Sequence, residues 1–148
     1  MIHKLSLSLI IFLLLCNCSG SALPTIEMEK MILIGDRDSG ITRAKEDKLI
    51  DTAIELLTYV VQENDSGVRG MCTDIAYESY VTSSDLSSNK SISGKSLSVF
   101  QINRPVVIDN SYLVSLLFSS DELPSKYAHL TLEIWISGDM EVLRFNID

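Results

Sequence analysis

Cysteine, histidine and proline are scarce in this chain: 148 residues include three, two and three of them. Each shortage closes off a chemistry. A zinc site draws three or four ligands from Cys, His and carboxylates, yet beyond residue 22 only Cys72 and His129 remain. Any Ser-His-Asp or Cys-His device would have to use His129, and Cys72 would be its single thiol nucleophile. Cys72 reads instead as a small buried hydrophobe. No glycine-rich phosphate loop or dinucleotide fingerprint is present. Asp36-Arg37-Asp38 begins like a calcium loop, but its sixth and twelfth positions are Ile41 and Asp47, not Gly and Glu. It reads as a polar turn. Carboxylate pairs such as Asp74 and Glu78, or others among Asp109, Glu133, Asp139 and Glu141, are what any acidic domain offers.

Positive charge is also in short supply. Twelve basic residues face twenty acidic ones, a formal charge of −8. Phosphate backbones are bound by neutralising them with Lys and Arg, so nucleic acid is not an expected partner. Anionic lipid surfaces are disfavoured on the same ground. A basic protein partner suits this charge, because complementarity speeds and selects encounter.

The N-terminus carries the one strong signal. Lys4 precedes an apolar and serine run from Leu5 to Leu15, then Ser19-Gly20-Ser21-Ala22. This is the layout of a secretory signal peptide, with cleavage expected after Ala22. The run is about half the 20 residues that a membrane-spanning helix needs, and no span is expected in the mature chain. Leu15-Cys16-Asn17-Cys18 resembles a bacterial lipobox ending at Cys18, although Asn17 stands where a small residue belongs. The resemblance implies a lipid-anchored alternative with Cys18 acylated. Localisation is therefore expected to be secreted or periplasmic, or outer-membrane by lipid anchor. Cleavage after Ala22 leaves 126 residues, with eleven basic against twenty acidic, net −9. That is one domain's length, with Cys72 as its last cysteine and no internal disulfide. Asn64-Asp65-Ser66 and Asn89-Lys90-Ser91 are formal glycosylation acceptors.

Along residues 23–148 the pattern predicts one α+β domain. Residues 23–29 read as an extended lead-in, and Met31 to Ile34 as a short strand or helix start. Ile50, Ala53, Ile54, Leu57, Val60 and Val61 recur at helical spacing, with Thr42 or Ser39 as N-cap. Glu46 and Asp47 lie where the helix dipole favours acids. This amphipathic helix should stop at Asn64-Asp65-Ser66-Gly67. A second short helix is expected from Thr73-Asp74, and residues 82–98 read as a serine-rich mobile loop.

Strands follow. Val99 to Ile102 and Val106 to Ile108 are two candidates separated by Pro105. Tyr112, Val114, Leu116 and Phe118 alternate, as do Leu130, Leu132, Ile134 and Ile136, and then Leu143, Phe145 and Ile147. The reading is an antiparallel meander packed on a long helix. This order resembles cystatin-like and NTF2-like domains, in which a curved sheet wraps a helix. The Gln-x-Val-x-Gly loop of cystatins is missing, and Gln101-Ile102-Asn103-Arg104-Pro105 does not replace it. The resemblance implies a shape and no functional residue.

The expected function is an exported, acidic, non-enzymatic protein-binding domain, of the kind of a periplasmic immunity or inhibitor protein. Candidate contacts are Glu133 and Trp135 on the outward sheet face, and the loop acids Asp121 and Glu122. Trp is enriched at binding hot spots. The alternatives are a small-ligand carrier lined by Tyr112, Phe118 or Trp135, and a lipid-anchored envelope protein. No cofactor or metal is implied, and the sequence does not specify an oligomeric state.

Overall fold

The computed structural model describes residues 22–83, 91–123 and 129–148. Residues 1–21 of the segment read as a signal peptide, Cys18 among them, and the acceptor Asn89 lie outside the described residues. The helical stripe forms α1, Arg43–Val61, capped by Thr42, whose side chain accepts from the backbone N–H of Lys45. Leu49, Ile50, Ala53, Leu56, Leu57, Val60 and Val61 are buried along it. Leu49 and Leu56 widen the stripe beyond the positions that the periodicity marked.

The stop after α1 is real but short. Glu63 takes a positive φ of 54°, and the chain then enters α2, Asp65–Met71. The residues expected to end a helix therefore also start one. The reason is capping: Asn64 Oδ1 accepts from the N–H of Gly67 at 3.0 Å, and Val68 plugs into the core. A third helix, α3, spans Asp74–Ser83, with Thr73 Oγ1 accepting from the N–H of Ala76. Among the described residues these three helices thus stand where the sequence indicated one long helix and a second short one. The segment read as a serine-rich loop is anchored at its described end. Ile92 is fully buried, and Leu97 is buried at the start of a strand. Isolated apolar residues among serines are enough to fix that end, because each enters the core.

Among the described residues five strands form one sheet in the order β1-β2-β3-β4-β5. They are β1 (Ile26–Ile34), β2 (Leu97–Ile108), β3 (Ser111–Ser119), β4 (Leu130–Ile136) and β5 (Val142–Ile147). Strands β2 to β5 are an antiparallel meander. Strand β1 lies parallel to β2 at one edge, so the sheet is mixed rather than wholly antiparallel. The lead-in and the short apolar run join into this strand. Backbone pairing with β2 supplies what composition did not show.

Register shifts reset the pattern, one of them in β1 between Met28 and Ile32. In β2 the register shifts between Val99 and Gln101 and again between Asn103 and Val106. The second shift houses Arg104 and the buried Pro105, so two predicted strands are one. A bulge tolerates a residue without an N–H to give the ladder. At the β4–β5 hairpin, Ile136 pairs with Val142 while Trp135 pairs with Arg144, which leaves Leu143 over. The phase therefore flips: Val142 and Ile147 are buried, whereas Leu143 is exposed and Phe145 only half-buried. The β2–β3 hairpin turns on Asp109 and Asn110, both at positive φ, as a two-residue turn of the twisted type requires.

One face of the sheet packs on the helices. Leu97, Val99, Ile102, Val114, Leu116, Phe118, Leu130, Leu132, Ile134 and Ile136 are all buried there, in one cluster with the α1 stripe. Near the other end, Glu46 of α1 is 2% exposed. It is held between Arg37 Nε and Arg104 Nη1, each 2.7 Å from one of its oxygens. Burial pushes the Glu46 carboxyl up, but the hydrogen bonds and charges of the two arginines outweigh it, and its pKa falls below the ordinary value.

Candidate functional site

Once the helices cover one face, the other face of the sheet remains. Among the described residues no element packs on it. Cross-strand pairing arranges its side chains in three rungs. The first runs Val106, Leu113, Trp135, Arg144. The second runs Ile34, Asn103, Ser115, Glu133, Asn146. The third runs Ile32, Gln101, Leu117, Thr131. An apolar rung thus flanks a polar one that carries Glu133 between Ser115 and Asn146.

Trp135 is half-buried, and the Arg144 guanidinium stacks on its ring 3.8 Å from the centroid. Cation–π stacking of this kind restrains the indole. Gln101 Nε2 donates to Asn103 Oδ1 at 3.0 Å. At the lower end, His129 meets the Phe100 ring edge-on at 5.4 Å. His129 is exposed, and its ring contact is a packing one. Phe100 is turned to this side because the bulge inserts it between Val99 and Gln101.

The four expected contact residues separate into two places. Glu133 and Trp135 sit two residues apart on β4, about 7 Å along one face. Asp121 and Glu122 lie past the end of β3, at the sheet's end. There, with Glu27 of β1 and Ser96, Ser98, Ser119 and Ser120, they line an open cleft of about 260 Å³. Glu122 Oε1 accepts from the N–H of Ser96 at 3.1 Å, and its own N–H donates to Ser120 Oγ. Glu27 and Asp121 are exposed. Glu27 was not foreseen, because only the parallel pairing of β1 brings residue 27 beside residue 98.

The carrier residues do not converge. Phe118 is fully buried in the core. Tyr112 faces the helix side, under Lys45 Nζ at 4.8 Å, and Trp135 is on the opposite face. Asp38 binds backbone: its Oδ1 accepts from Gly40 N at 2.8 Å. Asp74 and Glu78 are exposed on α3, and Asp109, Asp139 and Glu141 are exposed in turns. Asn64, the described glycosylation acceptor, is occupied as the cap of α2.

Cys72 is half-buried, packed against the core where its backbone bridges to Val142. Burial pushes its thiol up to about 11. The thiolate is the reactive form, so alkylation by iodoacetamide at neutral pH should be slow. Its rate should climb with pH toward 11, read by mass spectrometry. A rate already at its plateau by pH 8 would contradict the packing described.

Scanned against protein-family models and curated proteins, the chain matches none. The site is therefore argued from its own residues.

Proposed function

We propose that this chain is an exported, acidic, non-enzymatic protein-binding domain that receives its partner on the uncovered sheet face. The observation that carries the reading is the three-rung surface, with the Trp135–Arg144 stack at the end of an apolar row and the Glu133 carboxylate in the next. Interface cores favour a rigid aromatic and Arg anchor surrounded by polar contacts. The acid cleft and the formal charge of −8 favour a basic partner. The mode of action would be occlusion of that partner, as an immunity or inhibitor-type protein works. The likeness to cystatin- and NTF2-like domains enters only as a shape, with a helix laid over one face of a sheet.

Affinity capture from host extract at native expression tests this. One protein should co-purify in stoichiometric amount, and Trp135→Ala should weaken its capture more than tenfold, since truncating a hot-spot Trp typically costs about 2 kcal/mol or more. If no protein co-purifies, or Trp135→Ala captures it equally well, the proposal fails.

A further inference from the structure

The two edges of the sheet are not equivalent. Strand β5 is capped: Cys72 bridges to Val142, Thr73 N–H donates to the Val142 carbonyl at 3.0 Å, and Tyr80 stacks on Phe145. Strand β1 is terminal in the sheet order and pairs only with β2 among the described residues. It runs for nine residues, and its outer side presents backbone donors and acceptors with no neighbouring strand among the described residues. Met28, Ile32 and Ile34 are 41%, 59% and 44% exposed along it. Proteins normally shield such an edge with charges, bulges, prolines or a covering element. Strand β1 carries one such device, a register shift against β2 between Met28 and Ile32, but among the described residues no element covers Ile32 and Ile34, and the other end of the strand carries Glu27 in the acid cleft.

We propose that β1 is the docking edge for an extended strand of the protein partner, one carrying Lys or Arg. The backbone of the edge defines the occupant as extended chain, since only a strand can continue the ladder. Side chains define its character. Apolar residues of the added strand lie beside Ile32 and Ile34. A long basic side chain reaches Glu27 and, past it, Asp121 and Glu122. A second copy of this chain fits less well, because it would bring another strongly negative molecule, with its own Glu27, to the same edge. The inference rests on the protein-binding role proposed above and names the partner's chemistry.

The test uses the protein purified as its host processes it. The probes are two ten-residue peptides of alternating Thr and Val, one with two Lys near one end and one with two Glu there. In low salt the lysine peptide should bind at least tenfold tighter by fluorescence anisotropy. It should also slow amide hydrogen exchange across residues 26–34. Glu27→Lys should cost it about tenfold, and Ile32→Glu should abolish the protection; both positions are exposed, so neither change disturbs the core. Equal binding of the two peptides, or no protection of β1, overturns the inference. Dimerisation through β1 in sedimentation does the same, by putting a second copy there. If the captured partner depends on Trp135 while β1 amides exchange unchanged in the complex, strand docking is wrong and the binding role stands.

Discussion

Replacing Glu46 by Gln should lower stability by about 3 kcal/mol, the low end of the cost of breaking a buried ion pair by removing one partner. The substitution keeps the shape and removes the charge. Arg37 and Arg104 then face each other across a neutral amide, inside a site built around a carboxylate. The low end applies because both arginines are partly exposed and can recover some hydration. Urea unfolding measures it, at constant m-value. A cycle with Arg104→Gln should show coupling: the second change costs clearly less than the first. The same group makes stability depend on pH. Its folded pKa is depressed below the ordinary 4.5. Its contribution is therefore complete above about pH 4.5 and is lost as pH falls through the lower folded-state value. In Glu46→Gln that part of the acid transition should disappear. An acid profile identical to the wild type would contradict the arrangement.

The second large effect is at Gly67. A Cβ there would lie 2.6, 2.7 and 2.8 Å from Cγ, Cδ1 and Cδ2 of Tyr59. These are atoms at the root and sides of the ring, which swing little about a fixed helix. The ring is further held by its hydroxyl, which donates to Glu55 at 2.7 Å. Gly67→Val should therefore destabilise by about 2 kcal/mol, in the range of overpacking, despite glycine's poor helix propensity. Removing the obstacle should reverse the sign: in a Tyr59→Ala background, Gly67→Val should be nearly neutral or stabilising. Thermal midpoints of the four proteins decide it. A Gly67→Val protein as stable as the parent would mean that α2 does not lie against Tyr59.

The parts of the fold legible in the sequence are those where one periodicity runs unbroken. The α1 stripe and the inward row Leu130, Leu132, Ile134, Ile136 follow directly from spacing. What was not legible came from interruptions. A bulge beside Pro105 joins two strands, and an extra residue at Leu143 exchanges inside for outside. Neither leaves a mark in composition. Glu46 reads as an ordinary acid near a helix start, and its arginines lie 9 and 58 residues away. Only the folded chain shows that the charge is buried and twice paired. The outward position of Glu133 and Trp135 was legible from alternation. Glu27's place beside Asp121 and Glu122 was not, since parallel pairing follows no local rule.

That parallel pairing also sets an order in time. Strand β1 leaves the ribosome before the other described strands, yet its template, β2, begins only at Leu97, after residues 35–96. Until that stretch has been made and its helices have turned the chain back, β1 has nothing to lie against. Closing so long a loop carries an entropic cost that local hairpins escape, and such contacts form slowly. The meander of β2 to β5 can zip through short turns. The earliest of these strands thus waits for its partner, and for that interval its apolar residues are open to whatever meets them.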